Sequence, residues 1–178
     1  MASRLDSSTL YTIGHGAVDI ATFAGYLRDA AIESLVDVRR FPGSRKHPQF
    51  GSAALAEALR AIGIGYRHAE DLGGRRHPAS DSPSAGLRND GFRGYADWMA
   101  SDAFGEAFAT LVSESRDRRT TVMCAETPWW KCHRRLIADA SVLLADTRVV
   151  HLIGGKQADH RLTDGVVLLD GRLVYIES

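Results

Sequence analysis

Short apolar runs alternate along this chain with longer segments whose apolar residues recur every three or four positions. That is the pattern of buried strands alternating with amphipathic helices. Leu10-Tyr11-Thr12-Ile13 reads as a strand stopped by Gly14-His15-Gly16, and Asp19 as the cap of a helix with apolar positions Ile20, Phe23, Leu27 and Ala31. Ser34 to Arg39 is a second strand, broken by Phe41-Pro42-Gly43-Ser44 into a basic loop. Ser52 is placed to cap a helix through Leu55, Leu59 and Ile62 that stops at Gly63, and Ile64 to His68 follows as a third strand. Asp71 to Gly91 is the longest stretch without periodicity. A loop of that length in a compact domain is usually functional or mobile.

Beyond it, Phe92 to Met99 predicts a short helix, and Phe104, Phe108, Leu111 and Val112 give the stripe of the next. Thr120 to Ala125 is an apolar strand, Leu136, Ile137, Ala140, Leu143 and Leu144 repeat at helical spacing, and Arg148 to Ile153 is a further strand. Residues 166–176 read as a hairpin about Asp170-Gly171. Strands in this alternation predict an α/β fold. The expected architecture is a three-layer sandwich with a mostly parallel sheet, helices on both faces and a C-terminal β-hairpin. The organisation expected is a polar N-terminal tail over 1–9 and a single α/β domain over 10–178.

Composition narrows the class. The 178 residues carry 22 Lys and Arg against 22 Asp and Glu, so a strongly cationic nucleic-acid coat is excluded while a local basic patch is not. Two cysteines cannot frame a disulfide-built secreted domain. Residues 1–9 show no apolar signal core, and no apolar run approaches the roughly 20 residues of a membrane span. The expectation is a cytoplasmic protein with reduced thiols and no membrane partner.

In such a sheet the C-terminal ends of parallel strands share one edge, the usual ligand site of open α/β folds. Three polar clusters fall at such ends: Gly14-His15-Gly16, Asp37-Val38-Arg39-Arg40, and Cys124 to Arg135. Cys132-His133-Arg134 is expected in the first turn of the Leu136–Leu144 helix, where free N–H groups and the helix dipole favour an anion and acidify a thiol. Cys132 is therefore a candidate thiolate nucleophile with Glu126 or His133 as proton shuttle, whereas Cys124, inside an apolar strand, reads as packing. His15 is a candidate acid/base group. Arg39, Asp37, Arg134, Arg40 and Lys131 are candidates for binding an anion, and Arg75, Arg76 and His77 are expected to close over them from the long loop. Cys124, Cys132 and His133 are also competent metal ligands, although Cys-x7-Cys is not a usual zinc spacing.

Thr12-Ile13-Gly14-His15, Leu35-Val36-Asp37-Val38-Arg39 with Pro42 and Ser44, Leu72-Gly73-Gly74, Phe92-Arg93-Gly94-Tyr95-Ala96-Asp97-x-Met99, and Cys124-x-Glu126-x5-Cys132-His133-Arg134 run in order along the chain. Together they resemble domain-of-unknown-function family 488 (DUF-488) over a core of 11–153. The resemblance implies a single cytoplasmic α/β domain, largely bacterial or archaeal, and brings no established activity. The family pattern usually has Ser after the Gly-His pair, where this chain has Gly16.

The leading expectation is an enzyme that binds a small anionic or nucleotide-like ligand at the sheet edge and uses Cys132. The alternatives are a nucleic-acid-binding or DNA-repair-associated module that stacks bases on Trp129 and Trp130, a Cys/His/Glu metal protein, and a non-catalytic ligand-binding domain. The sequence names no cofactor and no oligomeric state.

Overall fold

The computed structural model describes residues 8–177. Five parallel strands and one antiparallel strand form a sheet in the order β3-β2-β4-β1-β5-β6. These are β1 (Thr9–Gly14), β2 (Ser34–Asp37), β3 (Gly65–His68), β4 (Thr120–Cys124), β5 (Arg148–Ile153) and β6 (Lys156–Asp159). The helices are α1 (Ile20–Asp29), α2 (Ser52–Ala61), α3 (Asp90–Trp98), α4 (Asp102–Asp117) and α5 (Arg134–Ala145). A hairpin of β7 (Val166–Leu169) and β8 (Arg172–Tyr175) follows, turning at Asp170-Gly171. The α/β class, the mostly parallel sheet and the terminal hairpin are those expected.

Side-chain alternation sorts the sheet residues between two cores. Tyr11, Ile13, Leu35, Met123, Val150 and Leu152 pack with Phe23, Leu27, Leu55 and Leu59 of α1 and α2. Leu10, Val36, Val122, Cys124 and Val149 face the other way, against Tyr95, Phe104, Leu111, Leu136 and Ile137 of α3, α4 and α5. Leu173 and Tyr175 of the hairpin join that second core.

Several boundaries differ from the sequence reading. The proposed tail over 1–9 lies outside the described residues at 1–7, and Thr9 is already in β1, paired with Arg148. Ser52 does not cap α2. It is the first helical residue, preceded by Gly51, and no side chain caps that end. Strand β6 went unseen because all four of its residues are exposed on an edge, so no apolar alternation marks it.

The unperiodic segment is shorter than 71–91: a 3-10 turn covers Glu70–Leu72 and α3 begins at Asp90. Side chains from α3 tie it down. Tyr95 donates its hydroxyl to the Leu72 carbonyl at 2.8 Å, Trp98 donates Nε1 to the Asp71 carbonyl at 2.7 Å, and Asp97 accepts from Ala79 N at 2.9 Å and Ser82 Oγ at 2.7 Å.

Candidate active site

Parallel pairing brings the three polar clusters to one edge. Gly14 lies opposite Cys124 and Asp37 opposite Met123. Past the strand ends the ladder continues, with His15 N donating to the Cys124 carbonyl at 3.0 Å, Gly16 N to Ala125 at 2.9 Å and Val38 N to Met123 at 2.9 Å. A cavity of about 450 Å³ opens above this edge. Its walls include His15, Arg39, Arg40, Glu126, Lys131, Cys132 and His133, with Lys46 and Arg75 from the flanking loops. Five cations line the cavity against one lining carboxylate, with the charge of one of them, Arg39, offset by Asp37.

Cys132 does not sit in the first turn of α5. A 3-10 turn over Trp129–Lys131, entered through Pro128, ends at Cys132 in extended conformation, and His133 precedes the helix. The Cys132 N–H is spent on the Trp129 carbonyl at 3.2 Å, and the helix-end donor that faces the sulfur is the N–H of Arg134, the first residue of α5. Side chains act on the sulfur as well. Burial alone pushes the Cys132 thiol up, but the neighbouring Cys124 thiol, His133 and the Arg134 charge outweigh it and hold the group well below the ordinary thiol range.

The His133 ring has an assigned orientation. Its Nε2 lies 2.9 Å from the Val38 carbonyl, which can only accept, so Nε2 carries hydrogen. Nδ1 then faces Cys132 Sγ at 3.5 Å as the group that takes the thiol proton. Tyr95 meets the ring edge-on at 5.0 Å. Gly74 passes so close that a Cβ there would come within 2.9 Å of Nδ1.

Arg134 does not line the cavity. It is fully buried behind the two cysteines and serves as their scaffold rather than as the ligand clamp expected from sequence. Nε donates to Cys124 Sγ at 2.9 Å and NH1 to Thr12 Oγ1 at 3.2 Å, while NH2 donates to the Glu126 and Thr127 carbonyls. Its backbone N–H points at Cys132 Sγ from 3.5 Å. Cys124 is thus a packing residue with a polar duty. Burial and the adjacent Cys132 hold its thiol well above the ordinary range, and Arg134 only partly opposes them.

Asp37 is fully buried and grips Arg39 through three bonds, Nε to Oδ1 at 2.9 Å, NH2 to Oδ2 at 2.7 Å and the backbone N–H to Oδ1 at 3.1 Å. Arg39 NH2 also reaches the Phe50 carbonyl at 2.7 Å, leaving NH1 beside His15 Nε2 at 3.4 Å. His15 donates Nδ1–H to the Gly16 carbonyl at 2.8 Å and stacks on Phe50 at 4.3 Å. Burial pushes its pKa down, the Gly16 bond pulls it up, and Arg39 pushes it down again, so a neutral ring presents Nε2 as acceptor.

Arg76 is elsewhere: it stacks on Trp98 at 3.8 Å and bonds the Gly73 carbonyl. Its neighbour Arg75 takes the lining position, its carbonyl held by Arg40 NH1 at 2.9 Å. Among the described residues, no group of three or more His, Cys, Asp or Glu side chains converges as a metal-binding set.

The family model for the domain of unknown function DUF488 matches residues 19–141, more than half of the chain. The chain belongs to the DUF488 family. Comparison with curated proteins and with solved structures finds no match. The matched span is narrower than the expected 11–153, leaving β1 with His15 before it and β5 after it. It contains every candidate catalytic and anion-binding residue except His15. Gly16, where a Ser was expected, has φ +53°, and a Cβ there would lie 2.2 Å from Thr127 Oγ1. The positive φ disfavours a side chain at the position, and one placed there needs the exposed Thr127 hydroxyl to turn aside.

A set of polar residues behind the cavity went unread in the sequence. Asp139 accepts from His160 Nε2 at 2.9 Å, Thr163 N at 3.0 Å and Tyr175 OH at 3.0 Å. With His160 neutral, its Nδ1 accepts from His151 Nε2 at 3.0 Å, and His151 Nδ1 then accepts from Thr12 Oγ1 at 2.6 Å. Thr12 in turn takes the Arg134 bond, so one directed chain joins Asp139 to the arginine beneath the thiols. Its only sequence signal was polar residues at core positions: Thr12 and His151 inside apolar strands, and Asp139 amid the α5 stripe.

Proposed function

We propose that this protein is an enzyme in which the Cys132 thiolate attacks a small anionic or nucleotide-like substrate held at the C-terminal edge of the sheet. The observation that carries the reading is the Cys132–His133 pair on a cation-lined cavity, with His133 Nδ1 3.5 Å from the sulfur and Nε2 anchored on Val38. The S–H proton passes to Nδ1, the sulfur lone pair forms the bond to the electrophilic centre, and His133 returns the proton to the leaving group. The cations around the mouth hold the substrate's negative charge, and Arg39 NH1 with His15 Nε2 offers a donor and an acceptor side by side. Such chemistry needs a reduced thiol, which suits the cytoplasm. No helix among the described residues is long and apolar enough to cross a membrane.

The test is the pH profile of iodoacetamide alkylation, with the labelled residue located by mass spectrometry. Cys132 is expected to label with a half-point well below that of an ordinary thiol, and His133→Asn to move that half-point up. A wild-type half-point at about 8 or above, the range of an ordinary thiol, overturns the nucleophile.

A further inference from the structure

A second cavity, of about 600 Å³, lies beside the first and shares Asn89 and Phe92 with it. Its walls combine two kinds of group. Phe92, Trp129 and Trp130 are aromatic, and Arg88, Arg135 and Arg161 are cationic, against one carboxylate, Asp164. Among the described residues none of these arginines is in an ion pair. Trp129 turns a face to His151 at 4.2 Å and an edge relation to Trp130 at 5.7 Å, which leaves Trp130 48% exposed.

The cavity also holds unmet hydrogen-bonding capacity. Among the described residues, Arg135 Nε and Thr163 Oγ1 are the buried side-chain polar atoms with no hydrogen-bond partner, and both residues line this cavity. The Arg135 guanidinium is held 4.8 Å over the Phe92 ring, which fixes its position on the wall. Three arginines outside any ion pair on an aromatic-walled recess point to an anionic ligand. Three cations suit a phosphate better than a single carboxylate, an exposed indole suits a flat ring, and the volume exceeds that of a ring acid alone.

We propose that this second cavity binds a nucleotide, its base on Trp130 and its phosphate on Arg88, Arg135 and Arg161. Because Asn89 and Phe92 wall both cavities, one molecule can span them and present its reactive end to Cys132. This spanning rests on the reading of Cys132 given above, whereas the binding does not.

The experiment is calorimetric titration of the full chain with AMP, adenosine, inorganic phosphate and a single-stranded oligonucleotide. AMP is expected to bind at least about tenfold more tightly than adenosine or phosphate, since it alone satisfies both halves of the cavity. Trp130→Ala is expected to weaken AMP by about 5- to 150-fold, the range for losing one base–aromatic stack. Arg161→Ser is expected to weaken AMP and phosphate together. Both residues are exposed, and unchanged thermal unfolding shows that the variants fold.

Absent AMP binding at millimolar concentration, equal affinity for phosphate and AMP, or an unaffected Trp130→Ala each overturns the proposal. An oligonucleotide bound more than about tenfold tighter than AMP assigns the surface to nucleic acid and overturns it as well. Slower iodoacetamide labelling of Cys132 in the presence of saturating AMP supports spanning, and unchanged labelling refutes it. An ordinary Cys132 pH profile with intact AMP binding removes the nucleophile alone.

Discussion

Acid should destabilise this protein through one buried imidazole. His151 is fully buried between Thr12, His160 and the face of Trp129. Burial is the main reason that its pKa falls from 6.5 to about 3, and the nearby His160 and Arg134 push the same way. The native state therefore keeps His151 neutral where the unfolded chain protonates it. Stability from this group is complete above about pH 6.5 and is lost as pH falls toward 3, because the unfolded state binds the extra proton throughout that window. Each pH unit costs about 1.4 kcal/mol, so the full interval is worth about 5 kcal/mol, and acidification from 6.5 to 5 removes about 2 kcal/mol. Against a domain stability of about 5–15 kcal/mol that is measurable.

His151→Gln keeps a donor and an acceptor in the chain from Thr12 to His160 but cannot titrate. Urea unfolding at pH 7.0, 6.5, 6.0, 5.5 and 5.0 should give wild-type stability falling about one proton more steeply than that of the variant. Parallel slopes between pH 5 and 6.5 would refute the reasoning, whatever the variant costs at pH 7.

Other substitutions probe the same architecture. Gly74→Ala puts a methyl 2.9 Å from His133 Nδ1; it should displace the ring and raise the half-point of Cys132 alkylation, and an unchanged profile would mean that His133 does not set it. Arg134→Met should cost about 3–5 kcal/mol in urea unfolding, because it strips donors from Thr12, Cys124 and two carbonyls in the core. A loss below 1 kcal/mol would contradict a scaffold role. Gly16→Ser should destabilise through its φ of +53° and its clash with Thr127 Oγ1; Thr127→Ala should rescue part of that loss in a double-mutant cycle, and strict additivity would deny the contact. Asp37→Asn should cost about 3–5 kcal/mol by leaving Arg39 enclosed without its countercharge, read from the urea midpoint.

The sequence by itself determined the layers. Apolar runs at Leu10, Leu35, Thr120 and Arg148, each separated by helical stripes, leave little but a parallel sheet covered on both faces, and parallel sheets put their strand ends on one edge. That places the segments of His15, Arg39 and Cys132 at one edge, where the three residues line a common cavity. Capping signals worked where the side chain itself makes the bond, as Asp19 does with Thr22 N at 2.7 Å, and failed at Ser52, where it makes none. An exposed edge strand such as β6 has no buried face to leave a pattern, so only its pairing with β5 reveals it.

What the tertiary structure alone decided is the division of labour among neighbours in sequence. Arg75 and Arg76 have the same chemistry, and the fold sends one to the cavity and the other onto Trp98. Cys132 and Arg134 are two residues apart, yet the turn entered at Pro128 leaves one sulfur on the cavity wall and buries the guanidinium behind it. Asp139, His151 and His160 become a directed chain only because helix α5, strand β5 and the segment after β6 meet around a water-poor interior. There each hydrogen must find an acceptor, and that demand, unlike apolar periodicity, is settled between residues far apart in the chain.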